Sequence, residues 1–140
     1  MASKYGNRKV EFNGIKFDSQ DELDYYLFLL DMQSKGILKI IELQPRIELL
    51  AKFTKHGKKY PAITYTPDFL VEYEDGRRVY LDYKGFSSQQ GDLRRKFFAK
   101  QVDEELIWIT KSKKYSVTGW INYDELKMVR RKNKKKKEGV

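Results

Sequence analysis

The sequence predicts an α/β fold in which a central mixed β-sheet is flanked by helices. Three observations predict it. Helical and strand patterns follow one another as helix, three strands, helix, strand. An Asp75-Gly76 pair separates two strand-like runs, and a short apolar run at 106–109 is typical of a buried strand. Elements in this order pack as layers around one core, and 140 residues is the length of one domain.

The first elements are a hairpin and a helix. Val10 to Phe12 and Ile15 to Phe17 flank Asn13-Gly14, a dipeptide typical of two-residue turns. A helix begins at Asp18-Ser19 and ends near Gly36, because apolar residues recur between them at three- and four-residue steps. That apolar stripe consists of Leu23, Tyr26, Leu27 and Leu30.

The first strand after the helix runs from Ile37 to Leu43, and after a bend at Pro45 the segment Ile47 to Phe53 continues it. A polar turn at 55–59 follows. It contains His56, the one histidine of the chain, which we interpret as an ordinary loop residue.

The next two strands form the predicted hairpin. The first is a long strand, Tyr60 to Glu74, with a bend at Pro67. Asp75-Gly76 then turns the chain into Arg77 to Lys84.

The second half of the chain starts with a polar loop at Gly85 to Gly91. A helix from Asp92 to Val102 and a buried strand from Leu106 to Ile109 follow, and a last helix begins at Asn122 and dissolves into a lysine tail. The apolar face of the middle helix comprises Leu93, Phe97 and Phe98.

Composition excludes several kinds of site. The chain has no cysteine, which excludes disulfides and cysteine-ligated zinc and fits a reducing compartment. One histidine makes a histidine-rich zinc site or a Ser-His-Asp triad a poor interpretation. No apolar run approaches 18 residues and no signal-peptide pattern follows Met1. We therefore expect a protein that neither spans a membrane nor is secreted.

The net charge of +9 is unevenly distributed. Residues 127–140 hold eight basic residues and one acid, so residues 1–126 carry only +2 of that charge. The sequence thus predicts a single domain at 1–126 and a basic tail at 127–140. Such a tail binds phosphates through salt-dependent counterion release. A solubilising or disordered tail and a nuclear-import signal are alternative interpretations.

Two acids and a lysine form the most informative pattern. Asp68 lies seven residues before the Asp75-Gly76 turn and Asp82 six residues after it, so the hairpin brings them close to opposite one another. Lys84 projects on the same side as Asp82, because residues two apart in a strand share a face. Carboxylates held this close repel, and a hard divalent cation would relieve the repulsion. A cross-strand salt bridge with Lys84 is the structural alternative.

This pattern resembles the PD-(D/E)XK nuclease superfamily. Pro67-Asp68 matches its first half and Asp82-Tyr83-Lys84 its second. Within that superfamily, roughly residues 4–110 are similar to small phage and prophage proteins described as Holliday-junction-resolvase-like or as a domain of unknown function. The segments that support this similarity are Lys4-Tyr5-Gly6-Asn7, Phe17 to Glu22, Leu43-Gln44-Pro45, Thr66 to Phe69 and Asp82 to Gly85.

The resemblance implies a restriction-endonuclease-like core that hydrolyses DNA phosphodiester bonds with Mg²⁺ or Mn²⁺. It implies that Asp68 and Asp82 hold one or two ions, with the backbone carbonyl of Tyr83 as a further ligand, and that Lys84 positions a water and stabilises charge on the phosphate. It also implies a phage-encoded protein in the cytoplasm of a bacterial host.

Glu22 is the fourth candidate for the catalytic site and the metal site. In related nucleases a glutamate of the first helix completes the acidic cluster. The alternative is a capping box, because Ser19 to Glu22 has the pattern in which the glutamate returns to the backbone N–H of Ser19. The two interpretations are compatible. Asp18 is interpreted as a cap or turn residue.

Candidate nucleic-acid contacts are basic or polar residues outside the acid cluster. A solvated surface explains the arm and helix residues almost as well, and a turn hydrogen bond explains the glutamine equally well. The candidates are Lys4, Arg8, Lys9, Gln44, Arg94, Arg95, Lys96, Lys100, Arg130, Arg131, Lys132, Lys134 and Lys135. Tyr5 and Phe86 are candidates to stack on bases, with packing as the alternative, and Trp108 and Trp120 are interpreted as packing residues.

Together with this resemblance, the sequence predicts a metal-dependent DNA endonuclease specific for DNA structure rather than sequence and similar to Holliday-junction resolvases, which would act as a homodimer if it makes paired cuts. A four-way junction, a nick, a flap and plain duplex all stay open as its preferred substrate. The first alternative is a non-catalytic nucleic-acid-binding protein that acts through its basic tail. The second is an RNA- or ribosome-associated protein.

Overall fold

The computed structural model describes residues 8–138, and its architecture confirms the predicted α/β fold. Eleven strands and three helices lie in this part of the chain. They are β1 (Val10–Phe12), β2 (Ile15–Phe17), α1 (Gln20–Ser34), β3 (Leu38–Leu43), β4 (Ile47–Leu50), β5 (Phe53–Lys55), β6 (Lys58–Tyr60), β7 (Ile63–Tyr65), β8 (Phe69–Tyr73), β9 (Arg78–Tyr83), α2 (Gln89–Gln101), β10 (Glu105–Lys111), β11 (Trp120–Asn122) and α3 (Tyr123–Glu138).

Five strands form the central sheet in the order β11-β10-β9-β8-β3. Strand β10 is parallel to β9, while the other neighbours in this sheet are antiparallel. Parallel neighbours need a crossover connection, and α2 supplies it between β9 and β10. The order α1, β3, β8, β9, α2, β10 confirms the predicted succession of elements.

Both faces of the sheet are covered. On one face Phe69 and Leu81 pack in the core that includes Leu29 of α1. On the other face Leu70 packs with Phe98 of α2. The first three residues of β8, Phe69 to Val71, are therefore all buried, as expected for a strand between two helical layers, whereas Glu72 and Tyr73 are partly exposed.

The predicted long strand from Tyr60 to Glu74 is wrong. The structure divides this segment into the end of β6, then β7 and β8. Pro61 and Pro67 lie at the two interruptions, and proline has no N–H to donate to a strand ladder. Strand β7 pairs with β4, and β5 pairs with β6, each as a separate two-stranded sheet.

The turn between β8 and β9 is one residue longer than predicted. The N–H of Gly76 donates to the carbonyl of Tyr73 at 2.9 Å, and the N–H of Tyr73 donates to the carbonyl of Arg77 at 2.8 Å. Gly76 has a φ of 88°, which favours glycine. The loop therefore has three residues, which is a common hairpin connection with glycine at the left-handed position.

Helix α2 differs from the prediction in its first residue, and both α1 and α2 differ in which residues form the buried face. Helix α2 begins three residues before the predicted Asp92, because the Ser88 side chain caps it by accepting from the N–H of Gly91 at 3.0 Å. Leu93, predicted on its apolar face, is 54% exposed. In α1 the predicted stripe is partly wrong: Leu27 is 39% exposed. Leu23 of the predicted stripe is buried, and Tyr25 and Leu29, which were not predicted, are the other buried apolar residues.

The buried face of α1 is set by aromatic packing. The ring of Tyr25 lies 5.8 Å from that of Phe69 and 4.9 Å from that of Trp120, centroid to centroid. These contacts turn Tyr25 inward, and they confirm Trp120 as a packing residue. The edge strand β11, which carries Trp120, is an element that the sequence did not predict.

The last helix continues through the basic segment. The prediction that it dissolves into a tail is wrong for the described residues, because α3 extends to Glu138. The side chain of Asn122 caps its start by accepting from the N–H of Asp124 at 2.9 Å. No helix within residues 8–138 is long and apolar enough to cross a membrane.

Candidate active site

An open cleft of about 760 Å³ lies where β7, β8 and β9 meet the start of α1. Of the residues that the structure describes, five acidic and two basic ones line it. They are Asp18, Asp21, Glu22, Asp68, Asp82, Lys84 and Arg94.

Asp68 directly precedes β8, and Asp82 lies on the neighbouring strand β9. Phe69 pairs with Leu81, so one step further along the hairpin Asp68 faces Asp82. Asp68 is only 9% exposed and Asp82 only 5%. The predicted juxtaposition of the two acids is confirmed.

The Asp68 carboxyl is buried among negative charges. Its Oδ2 atom accepts a hydrogen bond from the N–H of Tyr83 at 2.8 Å. Burial, followed by the negative charges of Asp82 and Glu22, raises the pKa of Asp68 well above its ordinary value. Without a compensating positive charge, the ionised form of this carboxyl is therefore destabilised.

Asp82 is held by a pair of aromatic residues. The hydroxyl of Tyr65 donates to Asp82 Oδ2 at 2.5 Å, and Trp108 Nε1 donates to that hydroxyl at 2.8 Å. Sequence reasoning missed Tyr65, and it interpreted Trp108 only as a packing residue. The one signal in the sequence that could have placed Tyr65 near the acids is its position in a strand-like run, two residues before Pro67.

Lys84 directly follows β9 and points toward the acids. Its Nζ atom lies 3.3 Å from Asp82 Oδ2, with the lysine side chain 28% exposed. The same atom lies 5.2 Å from the centre of the Trp108 ring. The salt bridge between Lys84 and Asp82 is thus present, but it joins residues two apart along the chain rather than across two strands.

Glu22 both caps α1 and joins the acid cluster. Its N–H donates to Ser19 Oγ at 3.1 Å, as the capping box predicted. Its Oε2 atom accepts from the N–H of Asp18 at 3.3 Å, and not from that of Ser19, so the reciprocal bond is shifted by one residue. Burial, with negative charge on Asp18 and Asp82, raises the pKa of Glu22.

One oxygen of Glu22 has no partner. Its Oε1 atom is buried without a hydrogen bond to any residue that the structure describes. A buried polar atom of this kind is costly, because it has lost its water and gained nothing in return. The oxygen is therefore available to a cation, or to a proton shared with the neighbouring Asp68 carboxyl.

The donor set fits a hard divalent cation. Within residues 8–138, no three Asp, Glu or His side chains are arranged to hold a metal ion as they stand. The N–H of Tyr83 and the hydroxyl of Tyr65 each donate a hydrogen bond to one oxygen, of Asp68 and Asp82 respectively. The cluster nevertheless offers carboxylate oxygens, one of them unpartnered, which are the ligands that Mg²⁺ and Mn²⁺ prefer.

Tyr83 fastens the start of α1 to the sheet, a contact that the sequence did not predict. Its hydroxyl donates to Asp21 at 2.7 Å, and Lys111 Nζ lies 3.0 Å from the same carboxylate. Partial burial alone would raise the pKa of Asp21, but hydrogen bonds from Tyr83 and Lys111 hold it below its ordinary value. The metal-binding role of the Tyr83 carbonyl stays a prediction.

The basic candidates of α2 have different surroundings. Arg94 is exposed and lines the cleft. Arg95 Nη1 donates to both carboxylate oxygens of Asp124, at 2.8 and 3.1 Å. Its Cζ atom also lies 3.9 Å from the centre of the Trp108 ring. Lys96 and Lys100 are exposed outside the residues that line the cleft.

Gln44 has a structural contact of its own. Its Nε2 atom donates to the carbonyl of Lys16 at 2.9 Å, and it does not line the cleft. This contact favours the turn hydrogen bond over a role in binding nucleic acid. Phe86, by contrast, lines the cleft and is 62% exposed.

The other nucleic-acid candidates lie apart from the acids. Arg8 and Lys9 are exposed, while Lys4 and Tyr5 lie outside the described residues. The candidates in the basic segment are exposed on α3, and some of them border a second cavity of about 640 Å³ that also includes Lys114 and Tyr115. These residues are Arg130, Arg131, Lys132, Lys134 and Lys135.

Comparison with known proteins identifies a family without an assigned activity. A family model described as "Protein of unknown function (DUF1064)" matches residues 2–117. The match spans most of the chain, includes every acid of the cleft and ends before α3. No curated protein matches the chain.

Proposed function

We propose that this chain, which belongs to the DUF1064 family of proteins of unknown function, is a divalent-cation-dependent endonuclease that hydrolyses DNA phosphodiester bonds. One observation supports it above all. Three buried carboxyl groups, those of Glu22, Asp68 and Asp82, meet Lys84 in an open cleft. The same residues are the ones that make the sequence similar to PD-(D/E)XK nucleases.

The charge balance of the cluster favours a cation over a purely structural role. Lys84 pairs with Asp82 and compensates one negative charge. Among residues 8–138, Glu22 and Asp68 have no salt bridge to a cationic side chain, and a buried charge is costly unless it is paired. A salt bridge alone thus does not explain why three acids converge.

The residues that would hold the ion are Glu22, Asp68 and Asp82, with the carbonyl of Tyr83. When bound, Mg²⁺ or Mn²⁺ polarises a phosphodiester and makes water a stronger acid. The protein fixes the positions of these ligands. The helix cap at Ser19 holds the backbone of Glu22, and the hydroxyl of Tyr65 holds the carboxylate of Asp82.

Lys84 is the residue that touches substrate in this proposal. Its ammonium group is partly exposed in the cleft and is held beside Asp82. A phosphate oxygen that enters the cleft meets this ammonium, which stabilises the negative charge that grows as the phosphodiester bond breaks. Arg94, on the cleft wall, binds a neighbouring phosphate.

The substrate that we propose is branched DNA of the Holliday-junction type in a phage or prophage context. The sequence similarity to resolvase-like proteins supports this choice. Paired cuts at a junction require two active sites, so the proposal includes a homodimer.

Cleavage assays test the proposal. A synthetic four-way junction, a matched linear duplex and a supercoiled plasmid are incubated with Mg²⁺ or Mn²⁺. We expect wild type and the surface control Lys39→Ala to cut the junction, with the rate reduced about 10²–10³-fold by Lys84→Ala. Absence of cutting on all three substrates, or equal rates for Lys84→Ala and Lys39→Ala, would contradict it.

A second candidate is a binding protein without catalysis. The exposed basic side chains of α3 and the adjoining cavity with Lys114 support it. Such a surface binds the phosphates of a nucleic acid whatever its base sequence. It predicts DNA binding that persists in EDTA and in Asp82→Ala, with no strand cleavage under any metal condition.

A further inference from the structure

A small β-ribbon beside the cleft has no role in the proposed chemistry. It consists of β5, β6 and the turn between them, with Lys52 before it. We propose that this ribbon binds the sugar-phosphate backbone of duplex DNA that flanks the cleft, as a second DNA-binding site separate from α3. That the flanked site is one where DNA is cut rests on the proposed function, whereas binding by the ribbon does not.

The ribbon is exposed along its whole length. All six residues of β5 and β6 are exposed, and the two strands pair only with one another. An isolated two-stranded hairpin is at best marginally stable in water. Since the ribbon contributes nothing to either core cluster, its sequence is not explained by the stability of the fold.

The charge of the ribbon is of one sign. Between Glu48 and Asp68 the chain has no acid, but it has four lysines and His56. Lys55 lies directly opposite Lys58 in the ladder. Like charges placed directly across a ladder repel and destabilise it. The lysines are Lys52, Lys55, Lys58 and Lys59. A polyanion would relieve this repulsion, because each lysine would then pair with a negative charge.

Aromatic contacts link the two strands of the ribbon. The rings of Phe53 and Tyr60 stack with centroids 4.7 Å apart and planes 10° apart, although the residues are 43% and 38% exposed. Lys58 Nζ lies 5.2 Å from the centre of the Tyr60 ring. These contacts stabilise the pairing of the strands that carry Lys55, Lys58 and Lys59.

The position of the ribbon sets which phosphates it meets. Tyr60 is four residues before Thr64, which lines the cleft, and four extended residues span at most about 14 Å. The three residue pairs of the ribbon add about 10 Å. One turn of duplex DNA is about 34 Å, so the ribbon reaches phosphates within one turn of the cleft. A two-stranded ribbon also fits the major groove.

Salt-dependent binding tests the ribbon. Affinity for a duplex is measured in EDTA, so that no cleavage occurs, for Lys55→Ala/Lys58→Ala and for a charge-matched control, Lys35→Ala/Lys39→Ala. The control lysines lie near the opposite end of the sheet, where Leu38 pairs with Tyr73. Each backbone contact contributes about 0.9 to the slope of log K against log salt concentration.

We expect the ribbon variant to lower that slope by about 1.8 and the control to leave it unchanged. Equal slopes for both variants would overturn the ribbon as a DNA contact. Tighter binding to duplex RNA of the same sequence, with the ribbon variant weakened only there, would also overturn it.

Probe mapping supplies a second readout, since the chain has no cysteine. Thr54→Cys on the ribbon and Glu74→Cys in the turn at the far end of the β8–β9 hairpin each receive an iron-chelate probe that breaks nearby DNA. We expect breaks within about one helical turn of the junction from Thr54→Cys only. Equal patterns from both probes would contradict the placement. If Thr54→Cys maps the duplex while the unlabelled protein never cuts, the ribbon stands and the nuclease proposal fails.

Discussion

The hydroxyl of Tyr65 donates a hydrogen bond to Asp82 Oδ2 over 2.5 Å. The indole N–H of Trp108 donates to the same hydroxyl, so the phenol proton is directed at Asp82. Burial, with the negative charge of Asp82, raises the pKa of Tyr65, which keeps it a donor over the whole physiological range. One buried tyrosine thereby fixes the orientation of the acid that pairs with Lys84.

Tyr65→Phe removes this donor and leaves the Trp108 N–H without its acceptor. We expect the cleavage rate to fall about 10²-fold, because the Asp82 carboxylate loses its fixed orientation. The free energy of unfolding falls by about 1–3 kcal/mol for the unpaired indole N–H. Single-turnover cleavage and urea denaturation measure the two effects. Tyr73→Phe, a half-buried tyrosine away from the cleft, is the control, and equal rates for both variants would count against the orientation of Asp82 by Tyr65.

Asp68→Asn should stabilise the protein in EDTA at neutral pH. The pKa of Asp68 is raised in the folded state, so the folded protein binds more protons than the unfolded chain, and stability falls as pH rises through the raised value. Each pH unit between the folded and unfolded pKa corresponds to about 1.4 kcal/mol. The asparagine does not titrate.

Thermal denaturation from pH 5 to pH 9 measures this difference. We expect the Tm of Asp68→Asn to exceed that of wild type most at high pH, with a smaller difference at low pH. We also expect Mn²⁺ to raise the Tm of wild type but not that of the variant. The exposed control Asp103→Asn should follow wild type. A variant less stable than wild type at every pH would show that the charge of Asp68 does not destabilise the apo protein.

Glu22→Gln and Ser19→Ala separate capping from the acid cluster. The glutamine still offers an oxygen to the Asp18 N–H, so we expect Tm to be equal or higher and cleavage to fall about 10²-fold. Ser19→Ala loses the helix cap, which costs about 1 kcal/mol, while cleavage by the folded protein persists. The reverse pattern, in circular-dichroism melts and cleavage assays, would assign Glu22 to capping alone.

Arg94 and Arg95 are neighbours with different roles. Arg94→Ala should weaken DNA binding without changing Tm, since the side chain is exposed at the cleft. Arg95→Ala should lower the free energy of unfolding by about 1 kcal/mol through loss of the contact with Trp108. Fluorescence anisotropy with labelled duplex and thermal melts give both values. A lower Tm for Arg94→Ala than for Arg95→Ala would reverse these assignments.

The acid pair could be predicted from sequence because it depends on strand pairing across a short turn. The Asp75-Gly76 signal fits loops of two and of three residues alike. A two-residue loop would have placed Asp68 opposite Tyr83, and because side chains alternate between faces, Asp68 and Asp82 would have pointed apart. The extra residue at Gly76 brings Asp68 opposite Asp82.

The rest of the site depends on long-range contacts that no local pattern encodes. Tyr65 meets Trp108 across 43 residues, and Tyr83 meets Asp21 across 62. The capping box at Ser19 was predicted because its residues are adjacent in sequence. The pattern did not predict that its second bond goes to the N–H of Asp18 instead of Ser19.

Binding of a divalent cation by the acid cluster is the property on which the proposed function depends. Isothermal titration of Mn²⁺ into wild type, Asp82→Asn and the exposed control Glu11→Gln measures it directly. We predict saturable binding by wild type and Glu11→Gln and loss of that binding in Asp82→Asn. Wild type that binds no Mn²⁺, or Asp82→Asn that binds it equally well, would contradict the assignment of this cluster as a metal site.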